Sequence, residues 1–174
     1  LLEEGVKKTK EFEHAQLACF RLLDIRARSR AELKERLEKK GFPAGVIRKV
    51  LAKLSLLGLV NDEEFARAWV ESRLRFRPAG ASALRWELRR RGVSEKTAAA
   101  VVKEAIDEKG EFGFALELAQ VRLKRICGPG QSAISPGKRE LARLGRFLAG
   151  RGFSYEVVRQ VINKLDGERV KDEP

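Results

Sequence analysis

The chain has 174 residues, of which 43% are hydrophobic, enough to build a core in one domain or a few small modules and too many for a disordered tail. Lysine and arginine number 37 against 25 acidic residues, giving a formal charge of +12 and a pI of about 10.1, a balance that favours polyanionic partners or acidic protein surfaces. Cys19 and Cys127 form neither a disulfide framework nor a CxxC metal pair, which points to a reducing, cytoplasmic setting. Apolar runs broken by charge exclude a membrane span. The opening LLEEGVKKTKEFEH has no signal-peptide layout, and the lack of methionine suggests a chain without its natural start.

One pattern recurs three times without a gap: AELKERLEKKGFPAGVIRKVL from Ala31, SALRWELRRRGVSEKTAAAVV from Ser82, and ARLGRFLAGRGFSYEVVRQVI from Ala142. The predicted elements follow from it in chain order. Residues 1–13 are expected to be an N-terminal extension. The first module, residues 14–60, opens with an amphipathic segment from Ala15 to Ala27. A helix started by the capping box Ser29 and Glu32 follows, with Leu33 and Leu37 on one face. Gly41 stops it in a left-handed conformation, Phe42 packs back on Leu37, and Pro43 prevents continuation. The next helix buries Val46, Ile47, Val50, Leu51 and Leu54.

The second module, residues 61–109, repeats this. Asn61 and Glu64 cap a helix from Asp62 to Phe76, in which Trp69 is placed in the core by its spacing from Phe65 and Phe76. Leu84 and Leu88, the stop at Gly92 and Val93, the N-cap Ser94, and the stripe Ala98, Val101, Val102 and Ala105 complete it. The third module, residues 110–166, runs from a segment at Phe112 to Ile126, through the Gly- and Pro-rich loop 127–137, to Leu144 and Leu148. It ends with Gly152, Phe153, the cap Ser154, and the stripe Val157, Val158, Val161, Ile162 and Leu165. Residues 167–174 are read as a tail. The expected fold is all-α: three tandem three-helix, helix-turn-helix-like modules in an elongated arrangement able to curve, neighbours supporting one another because each core is small.

Chemistry is hard to assemble from these residues. GQSAISPGK fails as a phosphate loop, since the spacing is wrong and Arg139 stands where a Ser or Thr would hold magnesium. His14 is the only histidine, which excludes a histidine triad or multi-histidine metal site, and it is read as an exposed residue near a helix start. Cys19, among Leu17, Phe20 and Leu22, reads as a small core residue, and Cys127 lacks an activating partner. The acids Asp62 and Glu63 suit a helix start. No catalysis, cofactor or metal is expected.

The positive charge is uneven. Arg73, Arg75, Arg77, Arg85, Arg89, Arg90 and Arg91 face only Glu87 within residues 73–91, a local balance of +6. The matching helix of the first copy, with Arg28, Arg30 and Lys34 among its cations, reaches +3. Compensation of the helix dipole accounts for cations at helix ends but not for Arg73, Arg77 and Arg85 around a Pro-Ala-Gly turn. Trp86 lies about 200° around the helix from Leu84, opposite the core stripe. Packing on a neighbouring module and contact with a partner explain it equally well.

The motifs RSRAEL leading to KGF, GLVNDEEFARAWV and ELRRRGV, set between Ala15 and Leu165, resemble the RecX proteins, regulators of the RecA recombinase. The resemblance implies three tandem three-helix modules and a cytoplasmic, monomeric, non-enzymatic regulator of homologous recombination, DNA repair and the SOS response. It implies binding along the groove of RecA filaments on single-stranded DNA, inhibition of ATP hydrolysis and strand exchange, and filament disassembly. Double-stranded DNA is a further candidate partner, and a membrane is not. The third copy departs most, with EFGFA where the second has DEEFA. The residues assigned to partner or DNA contact are Arg73, Arg77, Arg85, Trp86, Arg89, Arg90 and Arg91, with Arg28, Arg30 and Lys34. The competing expectation is an autonomous basic nucleic-acid-binding protein built from helix-turn-helix-like repeats, which would bind DNA alone with a steep salt dependence.

Overall fold

The computed structural model describes the backbone of residues 2–107, 110–127 and 136–172, and the side chains of residues 9–106, 110–125 and 136–167. Nine helices and no strands occur among the described residues: α1 (Leu2–Ile25), α2 (Arg30–Lys39), α3 (Ala44–Leu56), α4 (Asp62–Phe76), α5 (Ala81–Arg90), α6 (Glu95–Asp107), α7 (Gly110–Cys127), α8 (Lys138–Gly150) and α9 (Tyr155–Asp172). The all-α expectation holds. None of these helices is long and apolar enough to cross a membrane.

The three glycine stops are Schellman endings. Phe42, Val93 and Phe153 donate their backbone N–H groups to Leu37, Leu88 and Leu148 at 3.2, 3.1 and 3.3 Å. Gly41, Gly92 and Gly152 adopt φ of 81°, 80° and 81°, where a Cβ would meet the following carbonyl. A fourth ending of the same kind, unforeseen in the sequence, closes α3: Gly58 has φ 71°, and Leu59 N–H reaches Leu54 O at 2.9 Å. Helix starts are capped as the sequence predicts. The oxygens of Ser29, Ser94 and Ser154 accept from Glu32, Thr97 and Val157 N–H, and Asn61 Oδ1 accepts from Glu63 and Glu64.

The chain divides into two compact units, residues 1–68 with 88–98, and residues 69–87 with 99–174. In the first, α1, α2 and α3 enclose Ala15, Cys19, Leu33, Leu37, Ile47, Val50, Leu51, Leu54 and Val60. In the second, α7, α8 and α9 enclose Ala115, Ala119, Leu141, Leu144, Leu148, Phe153, Val161 and Leu165. The middle stripe is buried at Ala98, Val101 and Val102, while Ala105 is half-buried.

Two expectations need correction, those for His14 and Trp69, and both ends of the chain carry more helix than the apolar periodicity marked. Helix α1 continues back to Leu2, so residues 2–13 are helical, and Phe12 packs on the first core. His14, although exposed, therefore sits within a helix and not near its start. At the other end α9 runs to Asp172, through most of the predicted tail. Trp69 is half-buried: Phe76, used to place it in the core, is 72% exposed and lies under the Arg75 guanidinium, 5.4 Å from the ring centroid. The expected loop 127–137 lies outside the described residues from 128 to 135, as does the Cys127 side chain. Cys19 is fully buried, as expected, and burial pushes its thiol pKa up to about 11.

Candidate functional site

The ten predicted contact residues are distributed over both units, and the structure treats them differently. Arg73 on α4 is engaged internally. Its Nη2 and Nε donate to Glu87 Oε1 and Oε2 at 2.6 and 2.8 Å, and its Nη1 donates to the Arg77 carbonyl at 2.6 Å. Trp69 Nε1 joins the same carboxylate at 3.2 Å. With only about a fifth of either charged side chain exposed, this fork is a structural tie. The bonded carboxylate holds the Arg73 guanidinium pKa above its ordinary value. Glu87, the lone acid among the arginines, thus balances one of them directly.

Arg77, Arg85, Arg89 and Arg90 are exposed, and Trp86 is 56% exposed on α5. Residues 85, 86, 89 and 90 share one face by helical spacing, opposite the fully buried Leu84 and Leu88. Arg89 forms a surface ion pair with Glu95 at 3.3 Å. The face therefore combines an aromatic surface with guanidinium groups, a combination suited to stacking and to phosphate or carboxylate contact.

Arg91 stands apart: it is half-buried, and its carbonyl accepts a hydrogen bond from the Ser29 hydroxyl. Arg28 is also half-buried, donating from Nε to the Leu22 carbonyl at 3.1 Å, and loss of solvent lowers its pKa, with Arg26 acting in the same direction. Arg30 is exposed and reaches Ser55 Oγ at 3.1 Å, while exposed Lys34 lies 3.7 Å from Glu38. Among the described residues no group of three or more His, Cys, Asp or Glu side chains is placed to hold a metal ion.

Two acids had more to do than their sequence positions revealed. Asp62 Oδ1 accepts the Arg30 backbone N–H at 2.7 Å, and Glu111 Oε1 accepts that of Ala81 at 2.8 Å. Each acid in the first turn of one helix caps the start of another, which periodicity alone does not reveal. The available signal was the recurrence of an acid four residues before the fully buried pairs Ala66 and Val70, and Ala115 and Ala119.

Comparison with known proteins places these features in a family. Models of the first, second and third three-helix domains of RecX match residues 15–54, 61–102 and 115–162. A relative from Amycolatopsis mediterranei (strain U-32), named Regulatory protein RecX, is 37% identical over 170 residues, covering 95% of this chain and 90% of its own. Another of that name from Mycobacteroides abscessus is 40% identical over 150 residues, covering 86% and 72%. The crystal structure of RecX from Lactobacillus salivarius superposes with a TM-score of 0.77 at 20% identity, covering 91% of this chain and 98% of the other, a likeness of fold. Three matched domains and relatives of this identity over nearly the whole chain establish that the protein belongs to the RecX family.

Proposed function

We propose that this protein is a non-enzymatic regulator of the RecA recombinase, binding RecA filaments on single-stranded DNA and inhibiting ATP hydrolysis and strand exchange. The observation that carries the reading is the match of all three RecX domains in order along the chain. The exposed face of Arg85, Trp86, Arg89 and Arg90 supports it, because a filament offers both phosphates and protein carboxylates to such a face. Within this reading the chain comprises three working modules, residues 14–60, 61–109 and 110–166. It acts as a monomer in the cytoplasm, without a cofactor. Arg73, Arg91 and Arg28 serve the fold, and Arg77, Arg85, Trp86, Arg89 and Arg90 form the principal contact.

The test is DNA-dependent ATP hydrolysis by RecA, titrated with this protein and with a variant carrying Arg85→Glu, Arg89→Glu and Arg90→Glu. Inhibition near stoichiometric amounts, weakened about tenfold or more in the variant, is expected, since three lost charge-assisted contacts exceed the 1.4 kcal/mol of a tenfold change. No inhibition by the parent protein refutes the function. Full inhibition by the variant moves the contact to another module. Tight binding to bare DNA with a steep salt slope and no effect on RecA would instead favour an autonomous nucleic-acid-binding protein.

A further inference from the structure

The same joint is built twice in this chain. In the first unit, the start of α2 is held by two bonds: Ser29 Oγ–H donates to the Arg91 carbonyl, and Arg30 N–H donates to Asp62 Oδ1. In the second unit, the start of α5 is held likewise: Gly80 N–H donates to the Arg151 carbonyl at 3.0 Å, and Ala81 N–H donates to Glu111 Oε1 at 2.8 Å. Arg91 and Arg151 each immediately precede a positive-φ glycine. Those glycines admit the helix start closely. A Cβ on Gly92 would stand 2.1 Å from Ala31 Cβ, and one on Gly152 would stand 2.5 Å from Ala83 Cβ. Each socket thus consists of a carboxylate, a C-cap carbonyl and a bare glycine. Each inserted helix start brings two consecutive donors and an alanine.

The first module carries the same three socket elements. Ala15 and Cys19 are its fully buried pair, matching Ala66 with Val70 and Ala115 with Ala119, and four residues before each pair stand Glu11, Asp62 and Glu111. Lys40 precedes Gly41 as Arg91 precedes Gly92, and Gly41 has the same left-handed backbone. Yet among the described residues nothing lies within 4 Å of a Cβ placed on Gly41. Beside it, His14, Arg21 and Lys40 line a hollow of about 510 Å³ floored by Leu17 and Phe42. We infer that Glu11, the Lys40 carbonyl and Gly41 form an open socket that receives the start of a helix from a partner protein.

The occupant follows from the two filled joints. It has Ser or Gly at its N-cap, an amide donor at the first helical position, and a small residue at the second or third, as Ala31 and Ala83 are, with acidic side chains outward to meet Arg21 and Lys40. A second copy of this chain fits poorly. The start of α8, the counterpart of α2 and α5 in the third module, continues from Gly137 with Lys138, Arg139 and Glu140, which would put a bulky residue against Gly41 and cations against cations.

The probe is a lactam-bridged helical peptide that opens on Gly-Ala-Ala and carries glutamates at its outer positions, titrated into the full chain and followed by backbone amide NMR. Shifts centred on residues 40–42 and on Glu11 are expected. Binding should weaken about tenfold with Glu11→Gln, whose folding is checked by circular dichroism, because a charge-assisted bond is replaced by a neutral one. A peptide N-methylated at its first alanine leaves the protein untouched and should weaken similarly. Absence of shifts at Gly41 at millimolar peptide overturns the proposal, as does binding indifferent to N-methylation. Concentration-dependent self-association in sedimentation, abolished by Glu11→Gln, also overturns it by making the occupant a second copy.

Discussion

Gly41, Gly92 and Gly152 share one backbone conformation, with φ of 80–81°, but not one environment, so replacing each by alanine separates backbone strain from packing. Gly41→Ala adds a methyl with none of the described residues within 4 Å, leaving the left-handed penalty of about 1–2 kcal/mol. Gly92→Ala pays the same penalty and drives its Cβ to 2.1 Å from Ala31 Cβ, so α2 must shift; overpacking adds about 1–3 kcal/mol. Gly152→Ala meets Ala83 at Cβ and at the backbone nitrogen, 2.5 and 2.7 Å away, and backbone cannot step aside as a flexible side chain can. The two joint variants are therefore expected to lose about 2–5 kcal/mol, twice or more the loss of Gly41→Ala. Equilibrium urea unfolding supplies the overall values. Hydrogen exchange at Leu37, Leu88 and Leu148 reads each segment separately, since two compact units need not unfold as one. Ala31→Gly, which alone weakens the start of α2, should recover about 1–3 kcal/mol in the Gly92→Ala background. Equal losses at all three glycines, or no coupling with Ala31, would refute the reasoning.

Other perturbations test the remaining ties. Ser29→Ala removes a cap and a donor to the Arg91 carbonyl from a fully buried site, and should destabilise by about 2–3 kcal/mol. Ser94→Ala, at an exposed cap, should lose only about 1 kcal/mol in the same urea assay. Glu87→Gln should loosen Arg73 and Trp69 together, lowering stability by about 1–3 kcal/mol and changing the Trp69 fluorescence, best read in a Trp86→Phe background. Buried Cys19 should resist alkylation in the native protein, its thiol pKa being raised from 9.0 to about 11. The folded state holds that proton more tightly than the unfolded one, so its stabilising share is complete below pH 9 and is lost as pH rises towards 11. Cys19→Ala should flatten that alkaline decline, measured by thermal melting across the window.

The local grammar of this fold was legible in the chain. A leucine pair four apart, a glycine four residues later and an apolar residue after it specify a helix end closed by bonds within six residues, and Leu37 to Phe42, Leu88 to Val93 and Leu148 to Phe153 are so closed. The apolar stripes and serine caps belong to the same short range. The continuation of α1 to Leu2 was missed because EEGVKKTKEFEH carries few apolar residues, so it lacks the periodicity that marked the other helices. Of the candidate surface, the outward position of Trp86 followed from helical geometry alone.

Only the tertiary structure separated the arginines. Arg73 and Arg85 look alike in sequence, but Arg73 meets a carboxylate fourteen residues away while Arg85 is exposed. It likewise decided that Asp62 and Glu111 cap other helices, and that Ser29 bonds a carbonyl 62 residues distant. The physical reason is range: helix starts, stops and stripes depend on dihedral preferences and bonds between near neighbours, which each short segment carries with it. Partners brought together by docked helices depend on how those helices pack, and no local window holds that information.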